Sequence, residues 1–213
     1  MRAQLQQTHS GPGAVYRVMR GGEELYHAVT QPHPLQIRAR VLQNGQECFR
    51  IAGGDILFRK RHPSLEKAGE RRNYVCEIRN AQDEAVGSVC HVLPKGLRDA
   101  PYDRIELFGR EWIVYQVGLG AQGLKFPVYE GGRQIALLEK SPLVRNNLDV
   151  YELYALEEEG ILLATLFGVY YDWKEFARTG EYNSRNASAK VVFTLRKAAK
   201  DKYDPSFQER CAP

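Results

Sequence analysis

The densest chemical signal in this chain is cationic. Arg59-Lys60-Arg61-His62 is followed closely by Lys67, Arg71 and Arg72. Clustered guanidinium and ammonium groups suit a phosphate or a lipid head group, and near an anionic membrane each cation contributes about 1 kcal/mol. Glu66 and Glu70 fall inside the same stretch and offset part of the charge. The plainer alternative is therefore a solvated loop running from Arg59 to Asn73. The candidate contacts for an anion are Arg59, Lys60, Arg61, Arg71 and Arg72.

The other chemistry-bearing groups point nowhere as specific. Glu157, Glu158 and Glu159 with Asp149 could hold a hard cation, but their spacing matches no calcium loop, so an acidic turn is expected. Gly118-Leu119-Gly120-Ala121-Gln122-Gly123 has the outline of a dinucleotide fingerprint, which must open a helix. A strand-like run with Pro127 follows instead, so a turn is expected. The five histidines lack the spacing of paired metal ligands. His91 beside Cys90 suggests a Cys/His nucleophile, yet neighbours in a strand project to opposite faces and cannot pair. Cys48, Cys76, Cys90 and Cys211 form no C-x-x-C pair and are expected as free thiols. The expectation is a non-enzymatic protein without cofactor or metal. A hydrolase-like alternative would require a deep pocket with converging His and carboxylate groups.

Composition narrows the class. Thirty basic residues against 26 acidic ones give a net charge of +4, too mild for a nucleic-acid partner on charge alone. At 43% hydrophobic residues the chain can build a core. The first residues lack the apolar stretch of a secretory leader, and the longest apolar run is about half the roughly 20 residues of a spanning helix. A cytosolic location follows as the expectation, with a peripheral membrane surface as an expected partner and the protein partner open.

The elements that must position these groups are mostly strands. Alternating runs meet tight-turn signals at Gly21-Gly22, Asn44-Gly45, Asn80–Asp83, Gly109-Arg110 and Gly131-Gly132. Gly and Asn tolerate the positive φ that primed hairpin turns require. Further strands are expected over 149–156 and 189–195. Against this background stands Gly160-Ile161-Leu162-Leu163-Ala164-Thr165-Leu166-Phe167-Gly168-Val169-Tyr170-Tyr171-Asp172-Trp173. It is too long and too poor in β-branched residues for a strand, and apolar on every side, so it reads as an enclosed helix. A dozen strands must also hide their edges, which a closed barrel achieves. About 8 strands already make a barrel just filled by its own side chains, so a wider one needs a plug. Strands and helix thus call for each other: an all-β fold, a closed antiparallel barrel of about 12 strands around a central helix near residues 160–173. Residues 1–13 read as a flexible lead-in, 14–197 as the single domain, and 198–213 as a charged tail that docks loosely, with Phe207 as its only clear anchor.

The order of Tyr129-Glu130-Gly131-Gly132-Arg133-Gln134-Ile135-Ala136-Leu137-Leu138-Glu139-Lys140, then Asp149-Val150-Tyr151-Glu152-Leu153, then Leu162–Asp172 resembles the tubby-like superfamily, which includes LURP-one-related proteins and phospholipid scramblases. The resemblance runs from about Val15 to Trp173. Tyr182-Asn183-Ser184-Arg185 and Lys202-Tyr203-Asp204-Pro205-Ser206-Phe207 are similar to the endings of bacterial members. It implies a barrel threaded by a hydrophobic helix, no catalytic constellation, and phosphoinositide-type ligands in some members. The function expected from charge and resemblance together is a binding module for anionic phospholipid or a phosphorylated small molecule at a basic rim. The alternative is a scaffold using an exposed strand or the C-terminal tail.

Overall fold

The computed structural model describes residues 1–11, 13–33, 36–54, 70–94, 100–142, 148–177 and 192–211. The strands are β1 (Arg2–His9), β2 (Val15–Arg20), β3 (Glu23–Thr30), β4 (Ile37–Gln43), β5 (Gln46–Gly53), β6 (Glu70–Asn80) and β7 (Ala85–Pro94). They continue with β8 (Tyr102–Leu107), β9 (Arg110–Tyr115), β10 (Val117–Gly118), β11 (Leu124–Glu130), β12 (Arg133–Lys140) and β13 (Val150–Ala155). A helix α1 (Glu158–Asp172) follows and runs on into a π-helical turn, Trp173–Ala177. The short α2 (Lys197–Lys200) and a 3-10 turn (Phe207–Arg210) lie near the C-terminus.

All pairings are antiparallel, in the order β11-β12-β13-β1-β2 and onward through β9. Val114↔Val128 and Ile113↔Tyr129 then pair β9 back to β11 and close a 12-strand barrel, as expected. The two-residue β10 rides on the flank of β11. Among the described residues, closure leaves no long unpaired edge. The tight hairpins sit together at one end of the barrel, hereafter the hairpin end. Asn44 and Gly45 there take φ of 52° and 75°, the left-handed backbone that their residue types tolerate. The long connections gather at the opposite, loop end.

Each strand turns alternate residues inward. Leu5, Val18, Ala28, Ala39, Ile51, Ile78, Val89, Ile105, Val114, Val128, Leu138 and Leu153 form one continuous core with α1. The helix enters from the hairpin end. Glu157 stands at its N-cap position without a side-chain capping bond, and Glu158 and Glu159 occupy its first turn, where carboxylates meet the positive end of the helix dipole. Arg110 reaches Glu159 at 2.7 Å and Glu130 at 2.8 Å across the rim. Inside, Ile161, Leu163, Leu166, Phe167 and Val169 are buried. Each contributes roughly 1.5–3 kcal/mol relative to exposure. Thr165 returns its hydroxyl to the Ile161 carbonyl at 2.8 Å, so no polar group on this turn is stranded. Gly168 allows close approach to the wall: a Cβ there would lie 2.5 Å from Leu5 Cδ2.

Three expectations are corrected. Residues 1–13 are not a flexible lead-in, because Arg2–His9 form a barrel stave between β13 and β2, with Leu5 and Gln7 buried. The alternation Ala3, Leu5, Gln7 carried that signal, masked by the polar content of RAQLQQTH. The strand expected over 189–195 is, across the described 192–195, a single bridge between Phe193 and Leu119. The tail is more firmly held than a loosely docked segment: Phe207 and Cys211 pack on Leu137, and Tyr129 donates its hydroxyl to the Lys202 carbonyl at 2.7 Å.

Candidate functional site

The loop end collects the buried ionisable groups. As α1 leaves the barrel it presents Asp172 to β1, β2 and β13. Tyr16 donates its hydroxyl to the Asp172 carboxyl group. Tyr151 donates at 3.0 Å and the Gln7 amide at 3.5 Å. Asp149 stands close by, ion-paired to Lys140, and its backbone N–H donates to Gln7 Oε1 at 3.0 Å. Lys140 also lies 4.8 Å from the centre of the Tyr151 ring. Burial, then the neighbouring Asp149 carboxylate, push the Asp172 carboxyl up to about 7, against the pull of Lys140 and the Tyr16 hydrogen bond. Burial and the two aspartates likewise raise the Tyr151 hydroxyl well above its ordinary value. The group is a proton-holding network of two carboxyls, one ammonium and two phenols.

A second cluster lies two residues on. Lys174 extends over the rings of Tyr170 and Tyr171 and reaches both Asp103 oxygens, at 2.8 and 3.0 Å. Asp103 also meets His91 Nδ1 at 3.1 Å, its cross-strand partner on β7. Burial alone would raise the Asp103 carboxyl, but the Lys174 ammonium and His91 together hold it below the ordinary carboxylate value. These contacts fasten α1 to the wall where the helix leaves the core. Next to them, Gly54, just after β5, lies against the Trp173 indole, where a Cβ would come within 2.6 Å of the ring.

Of the sequence candidates for an anion site, Arg59, Lys60 and Arg61 lie outside the described residues. Arg71 and Arg72 do not belong to a loop, because they lie on β6, paired with Leu93 and Val92. Arg71 is exposed. Arg72 is 1% exposed, with its guanidinium 3.8 Å from Glu106 on β8, and so is removed from the set of surface contacts. Adjacent strand residues face opposite sides: Arg72 shares the wall face of its partner Val92 and of Cys90 and is covered there, while Arg71 is exposed, which the residue types alone do not disclose. Cys90 and His91 part as expected: Cys90 packs with Val75 and Val92, while His91 turns to Asp103. Burial pushes the Cys90 thiol up to about 12 even beside Arg72 and Arg104, so it is no nucleophile.

The remaining motifs resolve as structure. Gly118–Gly123 form the end of β10 and a 3-10 turn before β11, without the helix a dinucleotide fingerprint needs. The three glutamates begin α1, rather than making a hairpin turn. No group of three or more metal-ligating side chains converges among the described residues. The described thiols are free, as expected. Among the described residues, no helix is long and apolar enough to cross a membrane. Cavities of about 440, 420 and 80 Å³ line the hairpin end, away from His91 and Asp103. Tyr182–Asn186 lie outside the described residues.

Sequence reasoning missed Asp103, Lys174, Lys140, Tyr16 and Gln7. The only local signal was a charged residue at an inward register position: Asp103 two before Ile105, Lys140 two after Leu138. Comparison with known protein families, curated proteins and solved structures finds no match to this chain.

Proposed function

We propose that this barrel is a tubby-like, non-enzymatic binding module whose loop end receives a phosphate-bearing anion, as a lipid head group or as a phosphorylated small molecule. The supporting observation is topological. β5 ends at Gly53 and β6 begins at Glu70, both at the loop end. The chain carrying Arg59, Lys60, Arg61 and Lys67 therefore leaves and rejoins the barrel there, beside exposed Arg71. Gly54, held against Trp173, sets the departure point on the end of the helix. Reversible anion binding needs only such cations in partly desolvated positions. The buried carboxyls described at the loop end are committed to Lys140, Lys174, tyrosine hydroxyls and His91, a pattern that serves stability rather than turnover.

Calorimetric titration with inorganic pyrophosphate and flotation on phosphatidylcholine vesicles with and without phosphatidylserine separate the two sources. Binding to pyrophosphate alone identifies a soluble ligand, and selective flotation identifies a lipid. Joint reversal of Arg59, Lys60, Arg61 and Arg71 to Glu is expected to abolish whichever is seen. Equal retention on both vesicles with no pyrophosphate heat would overturn the reading.

A further inference from the structure

We propose that Phe193 and Leu195, with Arg196, Lys197 and Lys200, form a docking surface for an anionic lipid bilayer. This rests on the anion-binding reading above and specifies where its lipid arm would touch the protein. The segment is held in place by backbone bonds at the loop end. Phe193 bridges to Leu119, the Thr194 N–H donates to the Gly118 carbonyl at 3.0 Å, and the Gly120 N–H donates to the Val192 carbonyl at 3.0 Å. The Gly118 N–H donates in turn to Thr194 Oγ1 at 2.8 Å. Extended chain alternates its side chains. Val192 packs against the main core and Thr194 is half-buried, so Phe193 and Leu195 turn outward, 69% and 89% exposed.

A scattered surface Leu needs no explanation. Here two of the four large hydrophobic side chains exposed among the described residues stand two positions apart on one segment fixed by backbone bonds. Cations follow at once. Arg196, Lys197 and Lys200 are exposed, Ala199 anchors the turn by its burial, and no acidic residue occurs between Val192 and Lys200. Charge complementarity selects an anionic partner. The apolar part is two side chains, far short of the roughly 800 Å² per partner of a stable protein complex. A bilayer makes no such demand, because apolar groups enter the acyl boundary while cations sit at phosphate level, and weak terms add.

The test compares the full chain with Phe193→Ser/Leu195→Ser, with Leu195→Ser alone, and with Arg196→Glu/Lys197→Glu. Flotation uses phosphatidylcholine vesicles with and without phosphatidylserine, and pyrophosphate titration and circular dichroism run in parallel. The wild-type chain is expected to float with the serine-containing vesicles. The double apolar variant should lose roughly tenfold in partitioning, and the charge variant as much, with pyrophosphate binding and fold unchanged. Leu195→Ser, at a site almost fully in water, keeps the comparison valid if the double variant unfolds. Undiminished flotation of the apolar variants overturns this docking surface and leaves the anion-binding reading standing. Pyrophosphate binding with no flotation of the wild-type chain does the same. Failure of both assays overturns both.

Discussion

Tyr151 on β13 donates its hydroxyl to Asp172 at the end of α1, across 3.0 Å of fully buried space. A wall strand and the enclosed helix are thereby joined through a carboxyl group that favours its neutral form. The proton is held because burial and Asp149 both oppose a second negative charge beside the first.

That arrangement makes stability depend on pH. Asp172 has a folded value near 7 against an ordinary 3.8, so the folded state binds its proton more tightly than the unfolded chain. The contribution is fully present below about pH 4 and is lost as pH rises toward 7. Asp172→Asn keeps a hydrogen-bond acceptor without the charge. Relative to wild type its urea midpoint should improve between pH 4.5 and 7.5, by the order of a few kcal/mol in stability. An identical pH dependence in the two proteins would refute this assignment.

Asp103 has the opposite sign. Lys174 and His91 hold its carboxyl below the ordinary value, so its contribution is present above about pH 4 and lost on further acidification. Removing one member of this buried pair strands the other. Lys174→Ala or Asp103→Ala should each cost about 3–5 kcal/mol. Lys174→Ala combined with Asp103→Ala should cost clearly less than the sum of the two single changes. A double-mutant cycle by chemical denaturation measures the coupling, and additive losses would show that the pair does not fasten the helix.

Deleting residues 2–9 removes a barrel stave and is expected to abolish cooperative thermal unfolding, not merely trim a tail. Leu5→Ala tests the same point gently. The side chain is fully buried against Gly168, and its truncation should cost about 2–5 kcal/mol. A melting curve unchanged by the deletion would show that the barrel closes without β1.

Phe108 sits at the tip of the β8–β9 hairpin with φ of 50° and 62% of its surface exposed. A bulky side chain in left-handed backbone is strained by about 1–2 kcal/mol. Its ring centre lies 6.2 Å from that of Phe49, a small return at this exposure. Phe108→Asn creates Asn-Gly with Gly109, a favoured primed turn. It should raise stability by about 0.5–1 kcal/mol, and a lower melting temperature would mean that the aromatic contact outweighs the strain.

Phe207 fastens the C-terminal segment to Leu137 and shields Cys211. In the native protein Cys211 should resist a thiol reagent that modifies half-buried Cys48. Phe207→Ala should make Cys211 react at a rate like that of Cys48, with the barrel still folded by circular dichroism. Continued protection would show that the Tyr129 bond to the Lys202 carbonyl and the bond that the Gln208 amide donates to Glu139 at 2.6 Å suffice.

Much of the architecture follows from local pattern. Gly21-Gly22, Asn44-Gly45 and Gly131-Gly132 sit where backbone must turn left-handed, and the runs around them alternate because one face is buried. The all-round apolarity of Ile161–Tyr171 requires an enclosure, and only a curled sheet with enough strands supplies one. The amino-acid sequence therefore determined a closed barrel around a helix, the hairpin pairings and the anchoring of Phe207. It did not reveal β1, whose glutamines resemble a solvated terminus until β13 and β2 pair with it. Nor did it separate exposed Arg71 from buried Arg72, since what packs over each of two neighbours decides which one is covered. The clusters of Asp172 with Asp149, and of Asp103 with Lys174, join residues far apart in the chain: Tyr16 and Asp172 are separated by 156 positions. No local rule signals such partners. Tertiary closure alone decided them, because a charge or hydroxyl pointing into a dry barrel must find its counterpart wherever the opposite wall provides one.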